Sequence, residues 1–160
     1  MPLNSNRDIN SIYNYHRWHP DLASAGQPEA EELEGLAAKG FDWIINIGLL
    51  DTDYALEDEA GLVKAMGLRY SHIPVVFEAP TCEDFERFCA IMEASEGHRR
   101  LVHCAANYRA SVFIALYLHF YKNENYESVM NQVYEVWQPN SVWQRFIMQM
   151  LEQYALQEAT

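Results

Sequence analysis

The fold is decided by the stretch LVHCAANYRASVFIALYLHFY, which spans residues 101–121. It opens with a brief apolar run at residues 101–103 that predicts a buried strand. Small and polar residues follow, and the strongly apolar residues 112–121 then predict a helix in the middle of the fold. A strand that leads through a short loop into a buried helix is typical of α/β proteins.

The chain before this stretch repeats the same alternation of helix and strand. Pro28 suits the first position of a helix, and Gly40 suits the position just after its end. Thr81 with an acidic residue three positions later resembles a capping box that opens another helix. The predicted order is a helix over 28–39, a strand over 43–47, a helix over 55–66, a strand over 69–74 and a helix from Thr81.

The end of the chain is helical, with segments at residues 126–137 and 140–156 and no further strand. Strand–helix–strand units make right-handed crossovers between parallel strands. We therefore predict one α/β domain over residues 1–160. Its parallel sheet has about four to five strands, with helices on both faces and a helical C-terminal end. Ligands bind beyond the carboxyl ends of the strands in such sheets, so the loop after residue 103 is the place to expect a site.

The composition narrows the possible functions. With 23 acidic and 11 basic residues, the formal net charge of -12 repels nucleic acid and anionic lipid. No apolar run approaches the roughly 20 residues of a membrane span, and the polar start lacks the apolar part of a signal peptide. Three cysteines without dense spacing favour a reducing compartment. We expect a cytoplasmic monomer or simple homo-oligomer with no nucleic-acid or membrane partner.

The loop at residues 103–111 carries the candidate chemistry. Cys104 ends the predicted strand, and the small residues after it let backbone N–H groups turn inward to form an anion-binding nest. The field of such a nest favours the thiolate, which is the nucleophilic form of cysteine. Arg109 adds a planar fork for two oxygens of an oxyanion. Asn107 suits the left-handed backbone conformation that a tight loop requires.

Three segments of the chain resemble the cysteine-dependent protein tyrosine phosphatases. Within that superfamily they are similar to a small bacterial phosphatase-like domain that is also found fused to beta-lactamase-like hydrolases. Residues 23–28 resemble its N-terminal strand-to-helix turn, residues 73–81 its acid-loop segment and residues 102–109 its phosphate loop. The resemblance implies a tyrosine or dual-specificity phosphatase-like fold. It also implies hydrolysis of a small-molecule or peptide phosphate ester through a cysteinyl-phosphate intermediate, with no metal or organic cofactor.

The resemblance also implies a role for each residue of the loop. Cys104 matches the nucleophile, and Ser111 matches a hydroxyl that assists departure of the thiolate. His103 is expected to support the loop through hydrogen bonds. The residues expected to bind the phosphate group are Ala105, Ala106, Asn107, Tyr108, Arg109 and Ala110.

Two positions depart from the phosphatase pattern. Arg109 follows Cys104 by five positions, one fewer than in these phosphatases, so a helical turn of about 100° per residue would swing the fork away unless the loop is tighter. Val76 stands where an aspartate commonly supplies the general acid. Glu78, or otherwise Asp51 or Asp53, would then protonate the leaving group, a contribution of about 10² to 10⁴ in rate.

The shorter spacing leaves two alternatives open. Rhodanese-type sulfurtransferases also place a cysteine in a nest after a strand, and many have arginine at the spacing found here. In that case Cys104 would carry a persulfide and no general acid would be needed. A catalytically impaired module that binds a phosphorylated partner is the other alternative, since it needs the nest and Arg109 but not the thiol.

Other residues with chemical potential are expected to be structural. Cys82 and Cys89 have no basic neighbours in the pattern and are predicted to pack in the core or to be unreactive thiols. His16 and His19 have a ligand-like spacing but lack cysteine or carboxylate partners, so no metal site is predicted there.

Overall fold

The computed structural model describes residues 8–158, and its secondary structure follows the predicted alternation. A single 3-10 turn, Ile9–Ser11, precedes the first strand. The strands are β1 (His16–His19), β2 (Leu22–Ala25), β3 (Trp43–Asn46), β4 (Arg69–His72) and β5 (Arg100–His103). The helices are α1 (Ala30–Ala38), α2 (Glu59–Ala65), α3 (Cys82–Ala94), α4 (Tyr108–Lys122), α5 (Tyr126–Val136) and α6 (Ser141–Glu158).

The five strands form one sheet in the order β1-β2-β5-β3-β4. Strand β5 lies at the centre and pairs in parallel with both β2 and β3, so the loop after it leaves the middle of the sheet. The predicted α/β class and strand number are confirmed. The edge differs from a purely parallel sheet, because β1 pairs with β2 antiparallel through a two-residue connection at Pro20 and Asp21.

Residues of the central strands alternate between two apolar layers. Ile45 and Val102 pack on one side of the sheet against the large cluster around α4, which also includes residues of α3, α5 and α6. Ile44 and Leu101 pack on the other side, against residues of α1 and α2. This alternation follows from the opposite directions of successive strand side chains. It confirms the prediction of helices on both faces.

Helix α2 is shorter than the predicted 55–66 because Asp58 starts it later. The carboxylate of Asp58 accepts a hydrogen bond from the N–H of Gly61 at 3.2 Å, which caps the first turn. Residues 47–58 therefore form a long loop beyond the carboxyl end of β3. The predicted cap of α3 is confirmed, since the Thr81 hydroxyl accepts from the N–H of Asp84 at 3.1 Å.

The helices between residues 8 and 158 include none that is both long enough and apolar enough to cross a bilayer.

Candidate active site

The loop that follows β5 is fixed to the neighbouring strands by backbone hydrogen bonds. The N–H of Ile47 donates to the carbonyl of His103 at 2.8 Å, and the N–H of Gln27 donates to the carbonyl of Ala105 at 3.0 Å. The Asn14 side chain donates to the carbonyl of Ala106 at 2.9 Å. The carbonyls of the loop are thus held by the surrounding chain, which directs its N–H groups elsewhere.

A glycine permits this close approach. A Cβ atom built on Gly26 would lie 2.6 Å from the carbonyl oxygen of Ala105 and 2.7 Å from the Tyr13 ring. Any larger residue at position 26 would therefore push the loop away from β2.

The predicted left-handed residue is confirmed. Asn107 has a φ of 71°, and its side-chain amide donates to the carbonyl of Asn14 at 2.8 Å. This turn leads directly into α4. Tyr108 and Arg109 are the first two residues of α4, so their backbone N–H groups have no partner within the helix. Clustered free N–H groups at the start of a helix form an anion-binding concavity.

The loop borders a cavity of about 250 Å³. Its lining combines the loop with the segment that follows β4: Phe77, Cys104, Ala105, Ala106, Tyr108 and Arg109. Cys104 lines this cavity although its side chain is 0% exposed. A ligand therefore has to enter the cavity to meet the sulfur.

Arg109 lies on the cavity wall despite its early position in the motif. It is the second residue of α4 and is 5% exposed. Its Nη1 donates to the carbonyl of Val75 at 2.7 Å, whereas its buried Nε has no partner within residues 8–158. Nη2 donates one hydrogen to the Tyr54 hydroxyl at 3.4 Å and keeps a second hydrogen. One edge of the guanidinium is therefore anchored, and the Nε–Nη2 edge is the fork that remains for two oxygens.

The segment after β4, residues 73–81, is held in place by contacts with Ile47, with α6 and with Arg109 of the loop. The N–H of Val75 donates to the carbonyl of Ile47 at 3.2 Å. The indole N–H of Trp143, on α6, donates to the carbonyl of Phe77 at 2.8 Å. The Arg109 guanidinium lies 5.8 Å from the centre of the Phe77 ring, a cation–π contact. The segment thus closes one side of the cavity.

Aromatic rings form the rim of the cavity. The rings of Tyr108 and Trp137 are stacked, with centroids 4.4 Å apart and planes 2° from parallel. Phe77 lies 6.3 Å from Tyr108 and 5.8 Å from Trp137. Tyr108 therefore has a packed position, which restricts how wide the cavity can open.

The candidate acids and the candidate hydroxyl lie in different environments. Glu78 is exposed in the turn after Phe77 and is not among the residues that line the cavity. Asp51 and Asp53 are also exposed, in the loop after β3. Ser111 is buried in the first turn of α4, where its hydroxyl donates to the carbonyl of Tyr108 at 2.9 Å. None of the three carboxylates is in place as an acid without a movement of its loop or side chain.

Sequence reasoning missed a buried pair behind the loop. His103 Nε2 lies 2.6 Å from a carboxylate oxygen of Glu59, and both side chains are almost fully buried. The other oxygen of Glu59 accepts from the Gln27 amide at 2.7 Å. Glu59 is remote in sequence and begins α2, so no local pattern marks it as a partner of His103.

Sequence reasoning also missed the support beyond β3. The Tyr54 hydroxyl accepts from the N–H of Leu49 at 2.7 Å, which places it beside Arg109. His72 donates from Nε2 to the carbonyl of Gly48 at 2.7 Å. These bonds give the loop at residues 47–58 a fixed course past the site.

The remaining chemically active residues lie away from the loop. Burial raises the pKa of Cys89, and burial followed by its bond to Glu86 raises that of Cys82, so both thiols are disfavoured as thiolates. His16 bonds to Gln132 at 2.8 Å, and His19 to Glu124 at 2.7 Å. Residues 8–158 contain no cluster of three histidine, cysteine or acidic side chains arranged for a metal ion.

Residues 16–149 match the model of a protein family, PTP-NADK, described as a DSP-PTPase phosphatase fused to NAD+ kinase. No curated protein matches the chain significantly. Among solved structures, a DUF442 protein from Shewanella putrefaciens CN-32 is 33% identical with a TM-score of 0.82, and the match covers 91% of this chain and 96% of that one.

Two more distant structures share the fold. PTPMT1, in complex with PI(5)P, is 13% identical with a TM-score of 0.75, over 90% of this chain and 98% of its own. TpbA of P. aeruginosa, in complex with pTyr, is 19% identical with a TM-score of 0.62, over 79% of this chain and 74% of its own. The architecture around the loop is therefore one that recurs across widely different sequences.

Proposed function

Because the chain belongs to the PTP-NADK family of DSP-PTPase phosphatases, we propose that it hydrolyses a phosphate monoester with Cys104 as the nucleophile. One observation carries this proposal. Cys104, the backbone N–H groups at the start of α4 and the Nε of Arg109, which has no partner among residues 8–158, lie around a single cavity. That combination supplies an attacking atom and a receptor for the charge of a phosphoryl group.

The first step transfers the phosphoryl group to the enzyme. The Cys104 thiolate attacks phosphorus in line with the ester oxygen, so an S–P bond forms as the P–O bond breaks. The leaving alkoxide takes a proton from a carboxyl group, for which Glu78 is our candidate. Its exposed position means that the segment at residues 73–81 has to bring it to the leaving group.

Charge on the transferred group is stabilised by the loop. N–H groups of residues 105–110 and the Nε–Nη2 edge of Arg109 face the three equatorial oxygens in this proposal. Nη1 meanwhile stays on the carbonyl of Val75. The position of Arg109 on the wall of the cavity that Cys104 also lines supports this role despite the five-residue spacing.

The second step releases phosphate. Water attacks phosphorus, the S–P bond breaks, and the products are inorganic phosphate and the free thiolate. The Ser111 hydroxyl is the proposed donor to the departing sulfur, for which it has to turn away from the carbonyl of Tyr108.

The lining of the cavity favours substrates with a single phosphate group. Arg109 is the one cationic side chain among the residues that line it, and the chain carries a formal net charge of -12. Extra phosphate groups on a substrate would meet no second cation there. A small-molecule or peptide monoester fits this charge balance. The one-domain organisation, cytoplasmic location and monomer or simple homo-oligomer stay predictions.

The central test is turnover of para-nitrophenyl phosphate by the wild type and by Cys104→Ser. We expect phosphate release by the wild type and none above the blank by the variant. Cys89→Ser is the matched control, since Cys89 is also buried but lies on α3, and it should retain turnover. Inactive wild-type protein that still binds inorganic phosphate would instead support the impaired binding module.

The sulfurtransferase alternative has its own measurement. Incubation with thiosulfate followed by mass spectrometry would show one added sulfur on Cys104, and cyanide would be converted to thiocyanate. We expect neither, because the match to the phosphatase family extends over residues 16–149. Sulfur transfer without phosphate release would overturn the proposal.

A further inference from the structure

The hydroxyl group of Tyr54 lies between two hydrogen-bond donors, beside an arginine that lines the cavity. The N–H of Leu49 donates to this hydroxyl at 2.7 Å, and Nη2 of Arg109 donates to it at 3.4 Å. A phenolic hydroxyl has two lone pairs and one hydrogen, whereas a backbone N–H and a guanidinium only donate. Both bonds therefore use the lone pairs of the oxygen, and the hydrogen of the Tyr54 hydroxyl takes part in neither.

The backbone that precedes Tyr54 holds its half-buried ring in this place. A Cβ atom built on Gly48 would lie 3.1 Å from the Tyr54 hydroxyl and 3.3 Å from its ring, closer than ordinary van der Waals contact. The Asn46 side chain accepts from the N–H of Gly48 at 2.8 Å, and His72 bonds to the carbonyl of Gly48 at 2.7 Å. The hydroxyl is therefore placed by a fixed stretch of backbone against which the ring packs.

The short loop leaves room for one more donor to a phosphoryl group. Because Arg109 follows Cys104 by five positions, the loop has one backbone N–H fewer between them than in the phosphatases that it resembles. The guanidinium also gives Nη1 to the carbonyl of Val75 at 2.7 Å. It retains one hydrogen of Nη2 and the Nε hydrogen, which has no partner among residues 8–158. The unused hydrogen of Tyr54 lies next to this remaining edge.

We propose that Tyr54 is a substrate-binding residue whose hydroxyl donates to the phosphoryl oxygen that Nη2 of Arg109 also binds. This inference rests on the proposed function, because it takes the cavity as the site of the phosphate group. The hydroxyl oxygen and Nη2 are 3.4 Å apart. One oxygen can accept from both at ordinary lengths, about 2.7 Å from the hydroxyl and about 2.9 Å from the guanidinium. The bonds that the hydroxyl accepts polarise it and strengthen it as a donor.

The test measures the binding of an anion rather than turnover. Wild type and Tyr54→Phe are titrated with tungstate, a stable tetrahedral oxyanion that mimics phosphate, in an isothermal titration calorimeter. The substitution removes the hydroxyl and keeps the ring. Because a hydrogen bond to a charged group contributes more than one between neutral groups, we expect the dissociation constant of tungstate to rise by about 10- to 100-fold. An unchanged dissociation constant in folded Tyr54→Phe overturns the proposal.

Thr52→Val is the matched control for a loosened loop. The Thr52 hydroxyl donates to the carbonyl of Leu49 at 3.2 Å, so this variant also removes a side-chain bond to Leu49 but leaves the hydroxyl beside Arg109 in place. Each variant should lower the melting temperature by about 2–4 °C, whereas only Tyr54→Phe should weaken tungstate binding. Equal weakening in both variants would show that Tyr54 acts only through the course of the loop, which overturns the proposal.

A second measurement needs no variant. In a crystal structure of the wild type with bound tungstate, we expect the Tyr54 hydroxyl oxygen at about 2.5–2.8 Å from an oxygen of the anion. A distance beyond about 3.5 Å, or no bound tungstate at all, overturns the proposal even if Tyr54→Phe fails to fold.

Turnover of para-nitrophenyl phosphate separates this inference from the proposed function. Tungstate binding that depends on Tyr54 in a wild type without turnover would remove the proposed function and leave the binding role in place. Turnover by a wild type whose tungstate binding is the same in Tyr54→Phe would overturn the binding role and leave the proposed function.

Discussion

Arg109→Lys tests the assignment of the oxyanion fork, because it keeps the charge and removes the geometry. In the structure, Nη1 is bound to the carbonyl of Val75 at 2.7 Å, and Nε is buried without a partner within residues 8–158. A lysine has one ammonium group. It can bond to the Val75 carbonyl or meet an oxyanion, but it cannot do both with paired, parallel hydrogen bonds.

The magnitude follows from the donors that are lost. Removing one oxyanion donor costs roughly 10² to 10³ in kcat, or about 2.7–4 kcal/mol. Because lysine retains the charge and one donor, only one donor is lost. We therefore expect kcat/KM of Arg109→Lys to fall by about 10² to 10³, and not by the product of two such factors. Loss of the bond to Val75 lowers the free energy of unfolding by about 1 kcal/mol. Removal of the unpartnered Nε offsets part of this loss. For a domain of this size, the melting temperature should change by about 2–4 °C at most.

Arg99→Lys is the matched control. Arg99 also donates from Nη1 to a backbone carbonyl, that of Lys39, at 2.6 Å. Its guanidinium lies 4.8 Å from the centre of the Phe41 ring, and its buried Nε likewise has no partner among residues 8–158. It directly precedes β5, so it lies at the amino end of this strand, whereas the nucleophile loop follows the carboxyl end. Steady-state turnover of para-nitrophenyl phosphate and inhibition by vanadate should be unchanged in Arg99→Lys.

The result that would refute the assignment is specific. If Arg109→Lys keeps wild-type kcat/KM and wild-type vanadate inhibition, the Nε–Nη2 edge does not hold the oxyanion. A loss of activity that matches the fraction of unfolded protein, seen equally in Arg99→Lys, would also refute it.

Three further predictions follow from the same contacts. Glu78→Gln should lower kcat by about 10² to 10⁴ for alkyl phosphates. It should lower kcat little for para-nitrophenyl phosphate, because that leaving group departs without a proton. The control Glu83→Gln, at another exposed glutamate, should change kcat for neither ester, and equal losses on both esters in Glu78→Gln would argue against an acid. Ser111→Ala should slow the second step, so rapid-quench experiments should show more phosphoenzyme. An unchanged amount would leave the hydroxyl with only its bond to the carbonyl of Tyr108 in the first turn of α4. The pKa of Glu59 is lower in the folded chain than in the unfolded one. The ionised carboxylate therefore stabilises the folded chain above the usual glutamate pKa range, and this stabilisation is lost as pH falls through the folded pKa. The melting temperature should fall more steeply in acid for wild type than for Glu59→Gln, and parallel curves would contradict this.

Local patterns were sufficient for most of the fold. Thr81 marked the start of α3 because a capping bond joins residues three apart, and residues 43–47 marked β3 because a buried strand needs an unbroken apolar run. The nucleophile loop was also visible, since its residues are consecutive. Strand β1 was not predicted. Its polar sequence, His16–His19, pairs at the edge of the sheet, where the burial that makes a strand recognisable is incomplete.

The sequence by itself therefore determined the α/β class, the position of the loop and the left-handed turn at Asn107. Only the tertiary structure decided what those residues face. The carbonyl of Val75 selects which edge of Arg109 stays open, and Glu59 reaches His103 from a different helix. The physical reason is range. Periodicity and capping act between residues a few positions apart, whereas hydrogen-bond partners in a buried site are chosen by the packing of distant elements.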